Sequence, residues 1–81
     1  MLPQALVNAK VPNHKKERYM EYPEIADAIQ KLNGMFAGEG RVLIRPSGTE
    51  PLVRVMIEGK DQRMIEKEAR KLADLIQNCM L

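Results

Sequence analysis

The sequence predicts an α+β fold, a two-layer sandwich: a small antiparallel sheet with two helices on one face, in the order β-α-β-β-α. Three observations carry this. The runs "RVLIR" and "LVRVMIE" are rich in β-branched residues and are joined by the short stretch "PSGTEP", so they should pair antiparallel. Two longer segments repeat apolar residues at helical spacing, each with a single stripe. Near the start, "ALVNAKV" alternates apolar and polar residues, the period of a strand with one buried face.

The elements follow in order. In the first strand Val7, Ala9 and Val11 alternate with Asn8 and Lys10, and Pro12 ends it. "NHKKERYMEY" is polar and unpatterned and reads as a loop. Pro23 suits the first turn of a helix, where its missing N–H costs nothing. Ile25, Ala28, Ile29, Leu32 and Phe36 then form one apolar stripe, and Gly34, Gly38 and Gly40 mark where the helix weakens and stops. In the last strand Val53, Val55 and Ile57 face one way, and Arg54, Met56 and Glu58 the other. Gly59 closes that strand, and Asp61 is placed to cap a final helix. Its stripe is Ile65, Ala69, Leu72, Ile76 and Cys79, with Glu66 and Arg70 as a surface pair four apart. Two helices with one apolar stripe each should cover the same sheet face and leave the other open.

The 81 residues suffice for one small domain, residues 1–81. A chain of this size buries roughly 60–65% of its unfolded surface, so the core is thin. With 44% hydrophobic and 30% charged residues the composition is that of an ordinary soluble globular protein. No apolar run has the length of a membrane span, and "MLPQALVNAKV" lacks the pattern of a signal peptide. The single cysteine, Cys79, permits no internal disulfide, which suits a reducing cytosol. A net charge of +2, with no tryptophan, argues against a nucleic-acid partner. The nucleic-acid alternative, a stand-alone α+β module binding RNA on its open sheet face, needs aromatic stacking residues there, and the strands contain none. One histidine, one cysteine and scattered acids have no metal-ligand spacing.

The stretch "RPSGTEP", residues 45–51, holds more chemistry than a turn needs. Because the chain reverses between Arg45 and Arg54, both should stand near the base of the loop on the uncovered side. Like charges held close repel unless an anion or a carboxylate sits between them. Glu50 is one such partner. The other is a bound anion: Ser47 and Thr49 offer hydroxyl donors, and Gly48 lets backbone N–H groups approach a ligand. Successive N–H groups in a turn form an anion-binding concavity, and arginine adds bidentate bonds to phosphate oxygens. A nucleotide-binding P-loop is excluded, since its glycine and lysine spacing is absent. Ser/Gly/Pro turns also arise for backbone reasons alone, and these residues by themselves leave both readings open.

The longer string "GRVLIRPSGTEPLVRVMIEG", residues 40–59, resembles the signature of the C-terminal domain of the α-D-phosphohexomutases, in the form carried by the bacterial branch acting on phosphoglucosamine. "LPQALVNAKV" resembles the opening of the same domain, and the likeness is weakest in "NHKKERYMEY". The resemblance implies a four-domain cytoplasmic parent enzyme that interconverts glucosamine 6-phosphate and glucosamine 1-phosphate, on the route to bacterial cell-wall precursors. It implies a phosphoserine donor, magnesium, and a bisphosphorylated hexosamine or hexose as intermediate and activator, none bound by this domain. Partners are then the phosphosugar and the other three domains. Carried over residue by residue, Arg45, Ser47, Gly48 and Thr49 hold the non-reacting phosphate, Arg54 assists, and Glu50 orients an arginine. The family's serine, magnesium and sugar-recognition loops have no counterpart in these residues, so the domain alone is expected to be inactive. Ser47 is no nucleophile, because His14 is the only histidine and lies far off in sequence. The resemblance also implies a hinged connection near Leu2–Pro3.

Among the remaining residues, "HKKER" (residues 14–18) reads as a solvated loop rather than an anion patch. Met56, Met64 and Met80 are expected to fill core gaps, and Cys79 to be a buried hydrophobe. Arg41 is expected to be exposed.

Overall fold

The computed structural model describes residues 2–81. Its elements are β1 (Gln4–Lys10), a 3-10 helix (Asn13–Glu21), α1 (Pro23–Met35), β2 (Arg41–Pro46), β3 (Leu52–Glu58) and α2 (Gln62–Met80). The three strands form one antiparallel sheet in the order β1-β3-β2. The expected β2–β3 hairpin is present, and β1 completes the sheet on the far side of β3, with Val7 opposite Val55.

Alternation fixes the two faces. Val53, Val55 and Ile57 of central β3 are fully buried, joined on the same face by Ala5 and Ala9 of β1 and the half-buried Val42 and Ile44 of β2. Ile25, Ile29 and Leu32 of α1 and Ile65, Ala69, Leu72 and Ile76 of α2 close over this face. The fold is thus the expected two-layer α+β sandwich with one sheet face open.

Helix boundaries follow from local chemistry. Tyr22 is the N-cap residue of α1, Pro23 begins it, and the chain turns out of it through Gly38 at φ 80°, a conformation that favours glycine. Asp61 caps α2, its Oδ1 accepting from the Met64 N–H at 3.2 Å. Gly40 sits where strand ends meet: a Cβ there would lie 2.1 Å from the Glu58 carbonyl oxygen.

Four expectations need correction. Residues 13–21 form a 3-10 helix rather than a loop, and in it Lys16 is buried. The buried Lys16, the half-buried Tyr19 and, just past the helix, the half-buried Tyr22 lie three apart, with Lys15 half-buried as well, and three is the period at which 3-10 side chains eclipse. In α2, Cys79 is only half-buried, and Met80, four residues after Ile76, is fully buried instead. Glu66 accepts from Gln62 Nε2 at 3.1 Å rather than pairing with Arg70. Met56 lies half-buried on the open face rather than in the core.

Candidate functional site

The candidate site is built on the β2–β3 connection, residues 47–51, and the strand ends that flank it. The Ser47 N–H donates to the Leu52 carbonyl at 2.9 Å and so closes the loop at its neck. The Ser47 side chain is buried, and its Oγ accepts from the Glu50 N–H at 3.2 Å, a local turn that a short hydroxyl side chain favours. The Leu52 N–H donates to the Glu50 carbonyl at 2.8 Å, and the Pro51 carbonyl accepts from Val11 at the end of β1 at 3.1 Å. Ser47 therefore both shapes the turn and retains its hydroxyl proton for a further acceptor.

Gly48 and Thr49 form the exposed tip. Among the described residues, neither of their backbone N–H groups has a backbone or side-chain partner, and neither does the Thr49 hydroxyl. A Cβ added at Gly48 would meet nothing within 4 Å, and the residue lies outside the positive-φ region. The fold of this chain thus makes no demand for glycine at that position.

The register puts Arg45 directly opposite Arg54, on the open face and both exposed, as the strand alternation requires. Directly opposed side chains on one face have Cβ atoms about 4.5–5.5 Å apart, and like charges so placed destabilise the pair. Arg54 Nη2 lies 3.7 Å from Glu50 Oε1. That geometry suits Glu50 as the partner of one arginine. Among the described residues Arg45 has no carboxylate within ion-pair distance. The open face continues through Leu6, Met56 and Leu43 to an exposed-to-half-buried polar row, where Arg41 Nε pairs with Glu58 Oε1 at 2.9 Å and Gln4 Nε2 donates to Glu58 Oε2 at 2.9 Å. Among the described residues the three strands contribute no aromatic side chain to this face.

The 3-10 helix contributes two residues that were not singled out from the sequence. Lys16 Nζ donates to the Glu50 carbonyl at 3.0 Å, and the Tyr19 hydroxyl donates to the Ile44 carbonyl at 3.3 Å. These bonds brace the loop from behind and at its entry strand. The only available signal was the three-residue spacing of Lys16, Tyr19 and Tyr22.

The arrangement gathers N–H and hydroxyl donors at a loop tip beside an unpaired guanidinium, which is the chemistry of an oxyanion receptor. Among the described residues no group of three or more His, Cys, Asp and Glu side chains comes together to hold a metal. They do not assemble a magnesium site. Among the described residues no helix is long and apolar enough to cross a membrane.

A loop of this composition, on the hairpin of a two-layer α+β sandwich, coincides with a known domain. A family model described as the phosphoglucomutase/phosphomannomutase C-terminal domain matches residues 6–75, and the chain belongs to that family. Within it the similar curated relatives are phosphoglucosamine mutases. The enzyme of Clostridioides difficile (strain 630) is 59% identical over 75 residues, covering 93% of this chain and 17% of the relative. That of Clostridium acetobutylicum is 60% identical over 76 residues, covering 94% of this chain and 17% of the relative. The chain therefore spans about a sixth of the length of the relatives it matches. Among solved structures, Aspergillus fumigatus N-acetylphosphoglucosamine mutase in complex with GlcNAc-6P and magnesium superposes with a TM-score of 0.75 at 24% identity, over 99% of this chain and 16% of that one, a likeness of fold. A substrate complex of N-acetylglucosamine-phosphate mutase, a member of the α-D-phosphohexomutase superfamily, gives 0.70 at 30% identity, over 93% and 15%. The resemblance read from residues 40–59 is borne out.

Proposed function

We propose that this chain is the phosphate-gripping domain of a cytoplasmic bacterial phosphoglucosamine mutase, one domain of four, and that the β2–β3 loop holds the non-reacting phosphate of the hexosamine phosphate. The observation that carries this is the cluster of unpartnered donors at Gly48 and Thr49 beside Arg45. In this reading the Gly48 and Thr49 N–H groups and the Ser47 and Thr49 hydroxyls donate to phosphate oxygens. Arg45 supplies a charge-assisted bond, and Arg54, oriented by Glu50, a second.

Holding the remote phosphate converts binding energy into position: it fixes the sugar so that the far end meets the reacting group. Over one turnover the parent interconverts glucosamine 6-phosphate and glucosamine 1-phosphate, so the loop must accept a phosphate at either end of the sugar. A receptor made of backbone N–H groups, hydroxyls and guanidinium is indifferent to which end it holds, and sugar selectivity then resides elsewhere. Support for the substrate class comes from the names of the relatives and from related structures with GlcNAc-6P or glucose-1,6-bisphosphate bound. In this reading phosphoryl transfer, magnesium and the phosphoserine belong to other parts of the parent.

The test is a calorimetric titration of glucosamine 6-phosphate into the wild-type chain and into the Ser47→Ala/Thr49→Ala double variant. The proposal requires weak, phosphate-dependent binding that the double variant loses. A purely structural loop would give the same titration for both proteins.

A further inference from the structure

Lys16 stands apart from the other lysines. It is 6% exposed, and its Nζ has one acceptor among the described residues, the Glu50 carbonyl at 3.0 Å. No described carboxylate lies within ion-pair distance of it. The Glu50 carboxylate, the nearest in sequence to that carbonyl, is directed at Arg54 instead. Charges removed from water are ordinarily paired, because an uncompensated one is costly. Here the compensation within the chain is one peptide dipole, and that peptide adjoins the Thr49 tip of the loop. The same carbonyl also accepts from the Leu52 N–H, so the ammonium fixes the peptide on which the return of the loop depends.

We propose that Lys16 is the positioning residue of the β2–β3 loop: its buried ammonium locks the Glu50 peptide, and the anion received at the loop tip supplies the counter-charge it lacks. The second half rests on the phosphate-binding reading above; the first does not. Lys16 touches no phosphate. It acts through the Glu50 peptide, holding the Gly48 and Thr49 N–H groups in the geometry an oxyanion meets, and through the added positive field behind them.

The experiment uses the ¹⁵N-labelled chain as wild type, Lys16→Met and Lys16→Arg, followed by backbone relaxation without ligand and then by titration with glucosamine 6-phosphate. Methionine is linear and apolar and fills the buried track; arginine keeps charge and donor. In Lys16→Met the order parameters of Gly48, Thr49 and Glu50 should fall from about 0.85 to below about 0.6, those of β3 and α2 staying rigid. The phosphate dissociation constant should rise roughly tenfold, because the loop loses its preorganisation and the positive field behind it, and Lys16→Arg should recover both. Unchanged loop order and unchanged affinity in Lys16→Met would overturn the proposal. Should the wild type show no phosphate-specific shifts, the binding reading and the counter-charge half fall together, while the order parameters still decide the positioning role. If Lys16→Met does not fold, the wild-type ammonium resonance decides. A Lys16 signal protected from solvent exchange and shifted by phosphate supports the proposal; one exchanging like the exposed lysines refutes it.

Discussion

Replacing Gly48 by alanine separates what the fold needs from what a ligand needs. The residue lies outside the positive-φ region, and a Cβ there would meet nothing within 4 Å. A compatible Gly→Ala change stabilises by about 0.4–1 kcal/mol, through lost entropy in the unfolded chain. For a domain of this size that raises the thermal midpoint by roughly 2–8 °C. The added methyl group would nevertheless stand at the exposed tip, where in the phosphate-binding reading it crowds an oxyanion drawn to the adjoining N–H groups. Phosphosugar affinity should fall roughly tenfold or more, equivalent to about 1.4 kcal/mol. Gly40→Ala is the contrasting control. There the Cβ would lie 2.1 Å from the Glu58 carbonyl oxygen and 2.9 Å from its carbon, both backbone atoms, so the ends of β2 and β3 must part. The cost should be about 3 kcal/mol or more, in the range where single changes betray overpacking or strain. Thermal unfolding by circular dichroism, with calorimetric titration of glucosamine 6-phosphate, reads both quantities. The reasoning is refuted if Gly48→Ala destabilises by more than about 1 kcal/mol, the scale of the compatible-site gain it should show, or leaves phosphosugar binding intact.

Three further predictions follow from single contacts. Arg45→Gln should change stability by no more than about 0.5 kcal/mol, with any change favourable because the opposed Arg54 is relieved of a like charge; phosphate affinity should fall and its salt dependence flatten, which titrations at two ionic strengths would show. Asp61→Ala removes the acceptor for the Met64 N–H and should cost about 0.5–2 kcal/mol, visible as a lower urea midpoint with unchanged slope. Partial burial, and then the Glu24 carboxylate 4.0 Å from its Sγ, push the Cys79 thiol above its ordinary value. Less thiolate is then present at pH 8, so iodoacetamide should label Cys79 more slowly than a free thiol, and Glu24→Gln should speed labelling by removing the second cause; equal rates would contradict this contact.

Much of the sandwich could be read locally. Period two marked β3 because a strand with one buried face must alternate, and the apolar stripes of α1 and α2 fixed which sides they bury. The pairing of β1 with the outer edge of β3 is a contact between distant segments, which no local pattern encodes. In α2 the stripe ran on by three residues from Ile76 to Cys79, whereas the helix continues it by four to Met80. At the terminus both steps fit a period of 3.6, and only packing chooses between them. The hydrogen-bonding residues of the loop stood together in the sequence, and the register that opposes Arg45 and Arg54 follows from the hairpin. Lys16 was hidden because a 3-10 helix of nine residues is uncommon, and because a lysine amid charged neighbours ordinarily faces water.

The most direct test is to follow backbone amide shifts of the ¹⁵N-labelled chain during parallel titrations with glucosamine 6-phosphate, glucosamine 1-phosphate and unphosphorylated glucosamine. An oxyanion receptor at the β2–β3 loop predicts that both phosphates move the same amides, Gly48 and Thr49 foremost with Ser47 and Glu50 beside them, and that glucosamine moves none. Shifts produced equally by glucosamine, or by the phosphates at sites away from residues 45–54, would contradict it.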